Sequence, residues 1–202
     1  TLVDLGYRTG LIQESSLITV KAPVFSFSKM TTVDTSLGPE MKSTGEVMGT
    51  DTCYVKALTK AMLASGMKIP CRGNVLFSAA DRDKQESLGL GIELAGMGFQ
   101  LYATEHTCKY FIEHGLPTKK ITIEEAIRCI KDDKIDMLIN TPTHGKIPSR
   151  LGFLLRRIAM EFNVLSITSL DTAKALLSVM KENRKDLSAI PLDEYLVQKR
   201  SS

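Results

Sequence analysis

After Gly73 the chain alternates short apolar runs with stretches whose apolar residues recur every three or four positions, the pattern of a parallel sheet covered by helices. The candidate strands are residues 75–78, 100–103, 136–140 and 165–168. Between them the clearest helical period runs over 150–162. There Leu151, Leu154, Leu155, Ile158, Ala159 and Phe162 fall at the spacing of one apolar face. Ile123, Ala126, Ile127 and Ile130 mark a second helix, and Ala173, Leu176, Leu177 and Met180 a last one. The expected fold class is therefore α/β, a three-layer parallel sheet with helices on both faces.

The first part of the chain reads differently. Residues 17–27 are rich in β-branched and aromatic types and predict a strand, with Pro23 at a bulge or edge. Residues 28–52 hold turn formers and small polar residues without a sustained apolar period, and predict an extended segment hugging the surface. Asp51 or Thr52 then caps a helix running to Ser65, with Val55, Leu58, Ala61 and Met62 on one face and Gly66 as its stop. Pro70 and Gly73 in the stretch 67–73 predict a domain boundary. The expected division is 1–66, then 72–182, then a charged tail over 183–202. Met30, Met41, Met48, Met62 and Met67 recur too irregularly for a cofactor box and read as gap-filling core.

Composition narrows the classes without choosing among them. With 43% hydrophobic and 24% charged residues among 202, the chain has enough apolar material for one good core or two small ones. A net charge of +3, from 26 basic and 23 acidic residues scattered together, does not call for a nucleic-acid partner. Cys53, Cys71, Cys108 and Cys129 lie far apart, without a C-x-x-C pair or histidines at ligand spacing, so neither a disulfide framework nor a metal site is expected. No apolar run approaches the length of a bilayer span, and the opening residues lack a signal-peptide layout; the expectation is a cytoplasmic location and no membrane partner. The chain opens without Met, and a piece of something longer is expected.

In an open α/β sheet, ligands bind outside the carboxyl ends of the strands, where loops lead into helix N-termini and backbone N–H groups favour anions. The four loops at those ends hold Ser78 with Asp81 and Lys84, then Thr104 and Thr107, then Asn140, Thr141 and Thr143, then Thr168 and Ser169. Hydroxyls, one amide and one lysine offer many donors and a single positive charge, which suits a phosphate. For each residue alone, helix capping is the more frequent role, and agreement among the loops is what favours a ligand. His106, His114 and His144 have no nucleophile or carboxylate at recognisable spacing and read as surface residues. Gly89, Gly91 and Gly96 fall inside a helix at the wrong spacing for a dinucleotide fingerprint, and read as close-packing positions.

The stretch LGPEMKSTGEVMG at 37–49, preceded by VKAPVFSFSKM, resembles the end of the second ATP-binding synthetase unit in the large subunit of carbamoyl phosphate synthetase. FSAADRDK at 77–84, LYATEHT at 101–107 and DMLINTPTHG at 136–145 resemble the allosteric domain that follows it, which has a methylglyoxal-synthase-like fold. The resemblance implies that 1–66 is an incomplete piece of an ATP-grasp domain with a bridging helix, and that 72–182 is the allosteric domain. It implies an effector site at Ser78, Lys84, Thr104, Thr107, Asn140 and Thr141, with Thr143 nearby. No catalytic residue, metal or cofactor is expected within this stretch. ATP with Mg or Mn and K would serve the parent enzyme, which makes carbamoyl phosphate from bicarbonate, glutamine-derived ammonia and ATP for pyrimidine and arginine synthesis. The implied partners are a phosphorylated effector of the uridine monophosphate (UMP), inosine monophosphate (IMP) or phosphoribosyl pyrophosphate class, the upstream synthetase domains and the glutaminase small subunit.

Departures from the family pattern modify that expectation. His106 stands where the family usually has Gly before the second Thr. The chain runs from Gly115-Leu116-Pro117 through Lys119 and Lys120 almost directly into a helix, where members often carry a further strand and hairpin with a nucleotide-contacting lysine. A trimmed pocket is expected, with Lys120 the nearest substitute cation but not counted among the site residues. Ile167 lies where ornithine-regulated members carry an acidic residue, so ornithine control is not expected. Two other readings compete: a lyase like methylglyoxal synthase, for which only Asp81 and Asp83 supply carboxylates near the site, and a structural or oligomerising domain with a vestigial pocket.

Overall fold

The computed structural model describes residues 1–6, 10–11, 16–25, 41–142, 151–182, 187–191 and 193–194. Thr143, His144, Met30 and most of the expected tail over 183–202 lie outside the described residues.

The sheet core forms as the hydrophobic rhythm predicts. Strands β3 (Asn74–Ser78), β4 (Gln100–Ala103), β5 (Lys119–Lys120), β6 (Met137–Asn140) and β7 (Leu165–Ile167) make one parallel sheet in the order β5-β4-β3-β6-β7. Alternate side chains leave it on opposite faces. Val75, Phe77, Leu101, Ala103, Met137, Ile139 and Ile167 join one apolar cluster, together with buried residues of helices α1 (Tyr54–Ala64), α2 (Lys84–Gly96), α3 (Glu105–Glu113) and α6 (Leu170–Lys181). Leu76 and Leu138 face the other way, onto α4 (Ile123–Lys131) and α5 (Leu151–Glu161). The result is the expected three-layer α/β sandwich. Helix α4 begins at a complete capping box: Thr122 Oγ1 accepts from Glu125 N–H at 3.2 Å, and Glu125 Oε2 accepts from Thr122 N–H at 2.9 Å. That backbone donor, with the Thr122 hydroxyl, holds the Glu125 carboxyl below its ordinary range. Its contribution is complete above the unfolded glutamate value and fades as pH falls through the lowered folded one. Thr122→Ala is expected to cost about 1 kcal/mol in a urea titration at neutral pH.

The strand β5 was not expected. It is two exposed lysines long and pairs, among the described residues, with the edge of β4 through Tyr102↔Lys119 and Ala103↔Lys120, so no local apolar alternation announces it.

Ahead of this sheet, β1 (Ile18–Val24) and β2 (Gly45–Asp51) pair antiparallel, from Ile18↔Asp51 to Val24↔Gly45. β1 matches the strand read from 17–27. β2 corrects the reading of 28–52 as extended surface, since its glycines and polar residues hide a strand that only the pairing with β1 reveals. Asp51 closes the unit. Its Oδ1 accepts from the Thr52 N–H at 2.8 Å, and its Oδ2 pairs at 2.8 Å with Lys60 Nζ, which also donates to Thr50 O. Leu58 and Met62 carry α1 into the same apolar cluster as the sheet.

Three smaller expectations fail. Met41 and Met48 are 87% and 66% exposed, because neither lies on a strand face that another layer covers; Met62 is buried and Met67 packs against the core. Gly91 is a close-packing position, where a Cβ would lie 2.8 Å from Leu116 Cδ2, but Gly89 and Gly96 face open space. On α5 the apolar face is rotated from the one predicted. Leu155, Ile158 and Ala159 are buried, Leu151, Leu154 and Phe162 are partly exposed, and the buried set includes Arg156.

Candidate functional site

The strand order fixes where a ligand can sit. From central β3 the chain winds outward through β4 to β5, then crosses to the other side for β6 and β7. Crossover α2 lies on one face and α5 on the other, so the loops after β3 and β6 diverge and open a crevice at the carboxyl ends of the two strands. Ser78 and Asn140 are register partners on either side of it. The described residues of the predicted site lie at the carboxyl ends of β3, β4 and β6: Ser78 and Asn140 end their strands, Thr141 follows β6, Lys84 starts α2, and Thr104 and Thr107 lie at the start of α3.

Their side chains divide into two groups. The Thr107 hydroxyl, buried, accepts from Ala79 N–H at 3.1 Å, and the Thr141 hydroxyl accepts from Ala80 N–H at 2.8 Å. These two threonines brace the backbone that leaves β3. Asn140 donates through Nδ2 to Ser78 O at 2.9 Å, tying the ends of β3 and β6 together. Ser78 and Thr104 are different. Thr104 sits at the N-cap of α3 with extended backbone (φ −64°, ψ 156°), yet its hydroxyl makes no capping bond and instead lies 3.4 Å from Ser78 Oγ. Ser169, at the N-cap of α6, likewise makes no side-chain cap. The capping role that competes with ligand binding is thus not played by the side chains of Thr104 or Ser169.

Charge is concentrated at the head of α2. Lys84 Nζ lies 2.6 Å from Asp81 Oδ1, within the 3-10 turn Asp81–Asp83 that leads into the helix. A hydrogen bond from Lys84 and its charge hold the Asp81 carboxyl below the usual range, with a smaller contribution from His106. Glu105, at the start of α3, is held low by Lys120, with His106 again contributing. Lys120 is therefore engaged by Glu105. The neighbouring Arg82 donates to Pro142 O at 2.9 Å and joins the β3 and β6 loops.

Arg156 is the residue the sequence reading missed. Buried on α5, it donates to Asn140 Oδ1, which sets the orientation of the Asn140 amide. A guanidinium only donates, so Oδ1 must face it and Nδ2 must face Ser78. The available signal was Gly152 and Arg156 at i and i+4, on a helix face that meets the end of β6. A Cβ at Gly152 would lie 3.3 Å from Asn140 Nδ2. Of the histidines, His106 and His114 are exposed; His114 Nδ1 contacts Tyr110 O at 2.8 Å at the end of α3. Cys108 is buried, and burial raises its thiol pKa, so it is a packing residue. Among the described residues no three His, Cys, Asp or Glu side chains gather to hold a metal, and no helix is long and apolar enough to cross a membrane.

Comparison with known proteins shows what the chain is similar to. Residues 87–168 match the MGS-like domain. The chain is 47% identical, over 195 residues and 96% of its length, to the carbamoyl phosphate synthase large chain of Thermoanaerobacter sp. (strain X514). It fits a C-terminal fragment of such a large chain. The large chain of Thermoanaerobacter pseudethanolicus matches at the same identity, and that of Caldanaerobacter subterraneus subsp. tengcongensis at 46% over 96% of the chain. The chain spans 18% of the length of these large chains. Among solved structures, methylglyoxal synthase from Elizabethkingia anophelis aligns with a TM-score of 0.47 and 20% identity, covering 63% of this chain and 92% of its own. ForH aligns with a TM-score of 0.41 and 15% identity, covering 64% and 90%.

Proposed function

We propose that the MGS-like unit binds a phosphorylated effector reversibly and regulates a carbamoyl phosphate synthase, a ligase drawing on ATP, bicarbonate and glutamine-derived ammonia. The observation that carries this reading is the gathering of donors at the carboxyl ends of β3, β4 and β6. Ser78 and Thr104 present hydroxyls there that no cap consumes, and Lys84 supplies a cation at the next helix start. Thr107, Thr141 and Asn140 hold the loop in shape and act mainly through the backbone they brace. The occupant would be a nucleoside monophosphate such as UMP or IMP, or phosphoribosyl pyrophosphate. Regulation then requires the effector to bind one arrangement of the synthetase better than another. The pair β1–β2 and α1, as the remnant of the second synthetase unit, is the natural link. Mg or Mn, K and ATP belong to the upstream synthetase domains, the glutaminase subunit is the partner of the whole, and the cytoplasm its location.

Titration calorimetry with UMP, IMP, phosphoribosyl pyrophosphate and inorganic phosphate tests the reading. Lys84→Gln is expected to weaken the binding species about tenfold, the loss of one charge-assisted contact to a phosphate. Unchanged affinity in that variant counts against the site.

The lyase reading retains one specific observation, the Asp81 carboxylate beside Lys84. A carboxylate whose pKa is depressed by an ion pair is a weak general base, opposite to the tuning that proton abstraction requires. An assay with dihydroxyacetone phosphate is expected to yield no methylglyoxal.

A further inference from the structure

We propose that Asp81 is a built-in competitor for the effector: its carboxylate occupies Lys84 and must be displaced when a phosphoryl group binds. This rests on the effector reading above and assigns a function to a residue outside the predicted binding set.

The asymmetry of the pair motivates the inference. Asp81 is 91% exposed and Lys84 only 14%, so the carboxylate reaches inward from solvent to a partly buried ammonium. An exposed carboxylate keeps most of its hydration and is worth little in such a pair, which makes it easy to displace. The other nearby carboxylates are differently placed: Asp83 lies 3.5 Å from Arg82, and Glu105 pairs with Lys120. Asp81 is thus the acid that meets Lys84, on the turn directly after the braced residues Ala79 and Ala80.

Displacement has a consequence for selectivity. An arriving anion exchanges one negative partner of Lys84 for another, so a monoanion gains little charge complementarity at the ammonium. A phosphoryl dianion gains more, because it brings an additional charge and further acceptor oxygens for Ser78 and Thr104. Asp81 therefore raises the effector concentration needed for occupancy and favours doubly charged groups over singly charged ones.

Sulfate is the suitable probe, because it remains a dianion throughout the neutral range and its own protonation does not confuse the comparison. By titration calorimetry, Asp81→Asn is expected to bind sulfate roughly two- to fivefold more tightly than the native chain, the span of a released exposed ion pair. Asp81→Glu keeps the charge and is expected to bind as weakly as the native chain, and Asp83→Asn is expected to leave affinity unchanged. Unchanged or weaker binding by Asp81→Asn, with Lys84→Gln still weakening it, overturns the competitor and leaves the effector site standing. Failure of the native chain and Asp81→Asn alike to bind sulfate, UMP or phosphoribosyl pyrophosphate overturns both.

Discussion

Phe77→Ala is expected to lower stability by about 3–5 kcal/mol, the range for truncating a buried aromatic ring. Phe77 is fully buried in the central strand, in register with Ala103 on one side and Ile139 on the other. Its ring meets Phe111 of α3 edge-on, with centroids 5.2 Å apart and planes at 67°, a geometry that adds to the burial itself. The parallel strands on both sides hold the backbone in place, so the cavity cannot collapse fully. The same residue supports the site, because Phe77 O accepts from Thr104 N–H at 3.0 Å and Ser78 follows it directly. Urea unfolding gives the stability loss, and titration with inorganic phosphate should show weakened binding at temperatures where the variant is still folded. A loss below about 1 kcal/mol would mean that the sheet repacks around the gap, which a close-packed interior resists.

The second large effect is expected far from the site. Gly49 in β2 pairs with Val20 and lies flat against α1: a Cβ there would stand 2.2 Å from Ala57 O and 2.4 Å from Ala61 N. Both obstacles are helix backbone, which cannot swing aside as a side chain does. Gly49→Val must push the strand off the helix or break the helix, and is expected to cost about 3 kcal/mol, the upper end for overpacking. Amide exchange should show protection lost first in β1, β2 and α1, while the parallel sheet stays protected. Native-like exchange across β2 would show that strand and helix separate freely.

How far the sequence carries can be judged residue by residue. The four longer strands of the parallel sheet and helices α1, α4, α5 and α6 were legible because their apolar periods are local. Met137, Leu138 and Ile139 fall in the strand predicted over 136–140, and all three are buried. β2 and β5 were not legible, because each is held by a neighbour remote in sequence. Gly45 to Asp51 needs the Ile18–Val24 strand, and Lys119 and Lys120 need the edge of β4. The candidate donors were legible from the rule that loops at strand ends collect ligands. Their division of labour was not, since no spacing distinguishes Thr107, which braces Ala79, from Thr104, which leaves its hydroxyl beside Ser78.

By itself the sequence determined the layered α/β core, because burial of regularly spaced apolar side chains is a property of each segment and survives whatever the segment packs against. It also determined which loops carry hydroxyls, an amide and a lysine. Tertiary structure alone decided which of those groups brace the backbone, that buried Arg156 orients Asn140, that Asp81 lies on Lys84, and that Gly49 lies against α1. Each of these depends on two distant segments arriving at a fixed distance and angle, and directional contacts within about 3 Å are set by packing geometry and leave no periodic trace along the chain.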